Sequence, residues 1–435
     1  MSKGQKLWNK AKKIIPGGNM LLSKRPEMFV PKRWPSYFAS TNGCEVIDLD
    51  GNKFIDFSLM GVGTSTLGYS YHAVDQAVIE TVKNGNVSTL NCKEEVFLAE
   101  QLIELHPWAD MVRFGRTGGE TAAISVRIAR AASGKDKVAV CGYHGWHDWY
   151  LAANISSNKN LDGHLLPGLD PKGVPKSLSK DIITFHYNDI EAISKICEMP
   201  DVGVIMMEVS RNYEPENNFL KIVRDLATKN NIVLIFDECS SGFRETYGGL
   251  HLKYNVTPDL AWFGKALGNG YAITAVIGKR EVMSEAQSTF ISSTFWTERI
   301  GPTAGLATIK SMKNENSWLK ITEIGKMLKI GWSKIAKENN VEVSIGGLDA
   351  IPYFSINSSK WNKYKTFISQ EMLKKGYLAS NIVYVSIAHN SKLIDKYLQD
   401  LNEIFKIISN IEYDQISINE YLETPEAHTG FKRLN

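Results

Sequence analysis

The strongest constraint on how this chain folds is an alternation. From about residue 70, helical segments alternate with short apolar runs: Lys137-Val138-Ala139-Val140-Cys141, Val202-Gly203-Val204-Ile205-Met206-Met207, Ile232 to Phe236, and Leu260 to Phe263. Runs of this length are strands, and strands alternating with helices imply βα units and a mainly parallel sheet. The predicted class is α/β: a large domain with a mainly parallel mixed sheet flanked by helices, plus a smaller α+β domain. In such sheets ligands bind beyond the carboxyl ends of the strands. The residues that follow each run are therefore the ones to inspect.

A chain of 435 residues is long for one simple core, so two domains are expected. Residues Gln5 to Ile15 place Leu7, Trp8, Ala11, Ile14 and Ile15 on one helical face, and Pro16-Gly17-Gly18 ends that helix. We expect it to pack on a neighbour or partner subunit rather than to anchor in a membrane. Glu45 to Asp56 reads as a β-hairpin turning at Asp50-Gly51-Asn52. After about residue 315 the chain becomes rich in Lys, Asn and Ile, with a long helix expected near Lys360 to Lys375. The expected division is residues 1–65 as an N-terminal segment belonging to the small domain, 66–315 as the large domain, and 316–435 as the C-terminal small domain.

Composition removes several classes of function. Hydrophobic content of 43% and charged content of 22% are ordinary for a globular protein. A net charge of +3 without a basic block argues against a nucleic-acid partner. The apolar runs are strand-length, far short of the roughly 18 residues of a membrane helix. The five cysteines are scattered, with no CxxC pair, so neither a disulfide framework nor a zinc ribbon is expected. Met1 to Lys6 lacks the apolar core of a secretory signal, and a cytoplasmic enzyme is the simplest expectation.

The chemistry lies at the strand ends. Ile232 to Phe236 runs into Asp237-Glu238, and Leu260 to Phe263 runs into Gly264-Lys265. An acid after an apolar strand also suits a nucleotide hydrolase, but that needs GxxxxGK[ST]. The pairs Gly134-Lys135, Gly264-Lys265, Gly278-Lys279 and Gly325-Lys326 all lack the following Ser or Thr, and Gly61-Val62-Gly63 lacks the third glycine of a dinucleotide fingerprint. A buried acid together with a buried lysine is what pyridoxal 5'-phosphate (PLP) requires: the lysine for a Schiff base, the acid to hold the ring nitrogen protonated. Desolvation makes such a lysine a usable nucleophile. Arg116-Thr117-Gly118-Gly119-Glu120 opens a helix, where exposed backbone N–H groups suit a phosphate. Gly142-Tyr143-His144-Gly145-Trp146-His147 offers a ring to stack on a cofactor. The pair His144/His147 has no third ligand in recognisable spacing, so no metal is expected.

These residues, in this order, resemble class III aminotransferases, PLP enzymes of fold type I. Within them the likeness is to glutamate-1-semialdehyde aminomutases and aminotransferases of sugar and surface-polysaccharide pathways. It runs from Ala11-Lys12-Lys13-Ile14-Ile15-Pro16-Gly17-Gly18 through Asp48 to Asp56 and past Lys265. Its most specific marks are Asp237-Glu238-Cys239-Ser240-Ser241-Gly242-Phe243-Arg244 and Gly264-Lys265. The resemblance implies that Lys265 holds the cofactor, Asp237 pairs with the ring nitrogen and Tyr143 stacks on the ring, beside His144. It implies that Thr117, Gly118 and Gly119 cradle the phosphate, with Glu208 and Asn212 near the ring. Ser293-Thr294-Phe295 matches the segment whose Thr, here Thr294, binds the phosphate of the other subunit, which implies a homodimer with shared active sites. The substrates implied are an amino donor and a small carbonyl acceptor, sugar- or polyol-derived compounds among the candidates. An aminomutase or epimerase is the alternative. The chain departs from the family at Thr117-Gly118-Gly119, usually Ser-Gly-Thr, and at Val209, usually Pro. It departs again at Trp296-Thr297-Glu298-Arg299-Ile300-Gly301-Pro302, a larger and charged segment that sets glutamate-1-semialdehyde in question as substrate. Arg25, Arg211 and Arg299 are candidates to grip a carboxylate or phosphate, with a structural ion pair as the other reading for each. Trp146 and Trp296 are candidates to line a pocket or to fill the core.

Overall fold

The structure is a computed structural model that describes residues 1–157, 159–164, 166–413, 416–432 and 434. The chain forms two compact units, Met1–Tyr71 with Leu319–Asn435, and His72–Trp318.

The first unit is built from both ends of the chain. Its first helix, Lys3–Ile14, is capped by Ser2, whose Oγ accepts from Gln5 N at 3.2 Å. The apolar stripe of that helix buries Trp8 and Ala11. Strands Phe38–Asn42, Glu45–Asp48 and Lys53–Phe57 pair antiparallel, and Tyr377–Ala379 adds in parallel beside the third. The hairpin turn forms because Asp48 Oδ1 accepts from Asp50 N (2.8 Å) and Asn52 N (2.9 Å), while Gly51 takes a φ of +87°. Helices Ser317–Glu338, Trp361–Lys374 and Ser391–Tyr413 bury Trp332, Tyr364, Phe367, Tyr397 and Phe405 in one apolar cluster.

The second unit carries the large sheet. Its strands are β1 Met111–Gly115, β2 Lys137–Cys141, β3 Ile182–Thr184, β4 Val202–Glu208, β5 Val233–Asp237, β6 Leu260–Phe263 and β7 Thr274–Gly278. Their order across the sheet is β1-β7-β6-β5-β4-β2-β3. The pairs β3/β2, β2/β4, β4/β5 and β5/β6 are parallel, and β7 is antiparallel to both β6 and β1. The reversal has a simple cause. A parallel return needs a crossover of roughly a dozen residues or more. Only the short stretch from Gly264 to Ile273 separates β6 from β7, and it holds a single 3-10 turn, Lys265–Gly268.

Every residue of β4 and β5 is buried, as expected of strands covered on both faces. Ala122, Val126 and Ala129 of helix Gly118–Ser133 join Met206, Ile235, Trp262 and Val276 in one core. Val126, Met206, Ile235 and Val276 each contribute about 1.5–3 kcal/mol by leaving water. This packing fixes the strand ends against one another. No helix among the described residues is long and apolar enough to cross a membrane.

Candidate active site

The parallel register aligns the carboxyl ends of the central strands. Cys141 is opposite Met207, Glu208 is opposite Asp237, and Asp237 is opposite Trp262. Two acids, Glu208 and Asp237, therefore stand side by side at one sheet edge. The turn after β2 and the Gly264-Lys265 turn leave from that edge too.

Asp237 is 2% exposed and accepts two hydrogen bonds. Its Oδ2 accepts from His144 Nδ1 at 2.8 Å, and its Oδ1 accepts from Cys239 N at 3.0 Å. His144, itself 1% exposed, turns inward to this carboxylate. Of the two rings in Tyr143-His144, this leaves Tyr143 as the one available to a cofactor face. Tyr143 sits edge-on to Tyr150 at 6.0 Å, and Tyr150 Oη donates to Gly142 O at 2.8 Å, which anchors the turn.

Lys265 begins the 3-10 turn after Gly264 with a φ of +42°, a left-handed conformation that a side-chain-bearing residue adopts at a cost of roughly 1–2 kcal/mol. The surrounding packing holds it there. Gly264 lies so close to Cys239 Sγ and Thr274 that a Cβ would sit 3.1 Å from each. Lys265 Nζ donates to Ser240 Oγ at 2.6 Å. Arg211 donates to the same Ser240 Oγ, and its Nη2 also meets Glu208 Oε1 at 2.9 Å. The second Glu208 oxygen accepts from Tyr143 N at 3.4 Å. Burial pushes the Glu208 carboxyl above the ordinary range, Arg211 pulls it back, and the Asp237 charge adds to the rise. Burial also pushes the Cys239 thiol up to about 11.

Beneath this cluster a second buried set holds the Asp237-Glu238 turn. Trp108 Nε1 donates to His251 Nε2 at 2.9 Å, and His251 Nδ1 donates to Glu238 Oε1 at 2.8 Å. Ser241 Oγ donates to the other Glu238 oxygen. Glu238 is thus a positioning residue beside Asp237.

The glycine turn Thr117-Gly118-Gly119 opens helix Gly118–Ser133, with Thr117 as its exposed N-cap. Glu120 Oε1 accepts from Thr117 N at 2.7 Å and from Arg116 N at 2.5 Å. The two glycine-bearing turns meet closely: a Cβ on Gly145 would lie 2.8 Å from Gly119 Cα. A Cβ on Gly118 would lie 3.5 Å from Cys239 Sγ and from Trp262. The helix N-terminus is therefore brought against the loop that follows Asp237.

The remaining expectations divide. Asn212 lines a cavity together with Glu208 and Arg211. Thr294 lies exposed in the single turn Thr294–Thr297, and its hydroxyl takes no part in the network around Lys265. Arg299 makes a two-point ion pair with Glu94, Nε to Oε2 at 2.9 Å and Nη2 to Oε1 at 2.8 Å. Arg25 donates to Lys432 O at 3.0 Å and lies over the Phe431 ring. Trp296 packs against the core of the large unit, and Arg116 Nη2 donates to Trp296 O at 2.9 Å and Glu298 O at 2.8 Å, fastening that divergent segment down. Trp146 is 68% exposed. Reading the sequence alone missed Ser240, which joins Lys265 to Arg211. Its only signal was its place inside the Asp237 to Arg244 string.

These residues fit PLP. A buried acid is held by His144, a strained lysine is two residues past the end of the adjacent strand, and a helix N-terminus packs against the loop that follows the acid. The aminotransferase class III family model matches residues 32–405. The chain is 34% identical over 375 residues to a 3-aminobutyryl-CoA aminotransferase of Cloacimonas acidaminovorans (strain Evry), covering 84% of this chain and 86% of the relative. It is 33% identical over 359 residues to a glutamate-1-semialdehyde 2,1-aminomutase of Methanococcoides burtonii, covering 80% and 82%. The fold is that of the FumI protein of Sphingopyxis sp. MTA144, solved in its PLP internal aldimine form (TM-score 0.85, 20% identity, 97% and 99% covered). It is also that of an omega-transaminase from Sphaerobacter thermophilus (TM-score 0.82, 23% identity, 93% and 97% covered). The chain belongs to the class III aminotransferases, enzymes of PLP fold type I, and its cofactor is pyridoxal 5'-phosphate.

Proposed function

We propose that this enzyme moves an amino group from an amino donor to a small carbonyl acceptor, with Lys265 as the covalent anchor of the cofactor. The single observation that carries this reading is the convergence of Lys265, Ser240, Asp237 and His144 at one sheet edge. The bound cofactor supplies an aldehyde that takes up the amino group and a ring that accepts electron density.

The chain's own residues supply the rest. Lys265 Nζ, oriented by Ser240 Oγ at 2.6 Å, is the base that carries the proton from the donor's Cα, a role typically worth roughly 10²–10⁴-fold in rate. Asp237, held in place by His144 and the Cys239 N–H, would pair its charge with the ring nitrogen. Tyr143 would stack on the ring. The N–H groups of Gly118 and Gly119, with Thr117, would hold the phosphate, where the helix dipole favours an anion. Thr294, exposed on its turn, serves the phosphate of a second copy, so we infer a homodimer with shared sites. The five cysteines are all unpaired, which suits a reducing cytoplasmic setting.

A second reading has support in the 33% identity to an aminomutase. There the amino group would return to the molecule it left. Turnover of a donor with and without a separate acceptor separates the two, since transfer needs the acceptor. The test of the main reading is absorbance. The protein incubated with PLP should show a visible band that borohydride removes, and Lys265→Ala should bind PLP without that band. Wild-type protein lacking the band would overturn the assignment.

A further inference from the structure

We propose that His251 is a positioning residue for Lys265: a neutral imidazole, protonated at Nδ1, fixes Glu238 and with it the loop that brings Ser240 to the lysine. This rests on the reading above that Lys265 anchors the cofactor.

The protonation of the ring follows from its neighbours. An indole N–H only donates, so His251 Nε2 accepts from Trp108 Nε1, 2.9 Å away. The ring proton then sits on Nδ1 and is donated to Glu238 Oε1 at 2.8 Å. The same oxygen accepts from the His251 backbone N–H at 2.9 Å. His251 is 1% exposed, and Glu238 is fully buried. The chain makes room for this contact. A Cβ on Gly249 would sit 2.3 Å from His251 Cε1 and 3.0 Å from Glu238 Oε1. His106 closes the other side. Its ring stacks on His251 at 5.7 Å, and its Nε2 accepts from Gly249 N at 2.9 Å.

Glu238 passes that constraint to the site. It directly follows Asp237, the last residue of β5, and its backbone N–H donates to Trp262 O of β6 at 2.9 Å. Its second carboxylate oxygen accepts from Ser241 Oγ, and its carbonyl accepts from Gly242 N at 2.8 Å. Arg244 Nε, also buried, donates to Ser240 O. Ser240 therefore lies between two fixed points, its own carbonyl and the side chain of Ser241, while its hydroxyl meets Lys265 Nζ at 2.6 Å. An apolar filling of this space would avoid burying a carboxylate. What the polar set adds is direction, because hydrogen bonds fix angles and apolar packing does not. Misplacing a reacting group by about 1 Å can cost roughly 10²-fold in rate.

The test follows the borohydride-sensitive band as PLP is added back to the whole chain freed of cofactor. His251→Leu removes both side-chain bonds. Its rate of band formation at saturating PLP should fall by roughly tenfold to hundredfold, while the half-saturating PLP concentration stays within about twofold of wild type. His251→Gln should restore the rate to within about threefold, because its amide donates to Glu238 and its carbonyl accepts from Trp108. Nitrogen NMR of the histidine rings in cofactor-loaded protein, with His251 assigned from its absence in the Gln variant, should show a neutral ring protonated at Nδ1. An unchanged rate in His251→Leu overturns the proposal, and so does a His251→Gln variant as slow as His251→Leu. A ring protonated at both nitrogens, or at Nε2 alone, overturns it even where the Leu variant fails to fold. Absence of the band in wild type is a different result, and sinks the reading on which this one rests.

Discussion

Substitution of Asp237 separates the structural work of this carboxylate from its electronic work. Asp237 accepts two hydrogen bonds, from His144 Nδ1 at 2.8 Å and Cys239 N at 3.0 Å, at a position 2% exposed. Among the described residues His144 Nε2 has no hydrogen-bond partner, so Asp237 is the polar anchor of a buried imidazole. Asp237→Ala strands both donors, each at about 1–3 kcal/mol, and leaves a void, for a total of roughly 3–5 kcal/mol. Asp237→Asn keeps one oxygen for the Cys239 N–H, and its NH2 can donate to His144 Nδ1 once the imidazole proton moves to Nε2, so it should cost only about 1–2 kcal/mol, but it removes the charge proposed to face the ring. Its turnover should fall by at least roughly 10²-fold, the scale of a lost electrostatic partner at a reacting centre. Asp237→Glu retains the charge and should lose far less turnover than Asp237→Ala. The assay pairs urea unfolding of the cofactor-loaded variants with amino-transfer turnover. Near-normal turnover in Asp237→Asn would refute the electronic role. Equal stability of the Ala and Asn variants would refute the structural one.

Three further outcomes follow from the geometry. Gly145 has a φ of +101° and leaves no space for a Cβ against Gly119, so Gly145→Ala should weaken PLP affinity as the turn lifts from the helix N-terminus. Gly134→Ala, at a helix end with nothing within 4 Å of its Cβ, should cost about 1 kcal/mol of stability and leave PLP affinity alone, and fluorescence titration distinguishes them. His106 is buried, with Nδ1 donating to Leu102 O at 2.8 Å and Nε2 accepting from Gly249 N at 2.9 Å, and burial pushes its pKa down from 6.5 to about 4. On acidification the unfolded chain takes up this proton first, so the stabilisation is present above about pH 6.5 and is lost between there and about pH 4, by up to about 3 kcal/mol. His106→Gln should flatten the fall of stability with pH in that window, and parallel curves for variant and wild type would contradict the assignment.

Much of the site was legible because strand ends are legible. Apolar runs such as Val202 to Met207 and Ile232 to Phe236 announce strands, and the polar residue that terminates each run must lie at the sheet edge. Asp237 and Lys265 were singled out this way, and Glu208 through the resemblance; the structure places all three at or just past the carboxyl ends of adjacent strands. β7 was not singled out, because Thr274–Gly278 follows β6 too closely to read as another βα unit. What the sequence did not show is that His144 Nδ1 bonds Asp237, an interaction spanning 93 residues.

The sequence by itself determined the class of fold and the placing of an acid and a lysine after adjacent strands, since these follow from local periodicity and from what ends each strand. The tertiary structure decided which side chains share a partner. Ser240 lies between Lys265 and Arg211, and Glu208 lies beside Asp237, only because parallel register sets the ends of β4, β5 and β6 level. It also sorted the three arginines, which have the same chemistry in the sequence and differ only in what surrounds them. Charge and hydrogen-bonding reach a few ångströms through space, so a side chain's role depends on neighbours that chain order does not name.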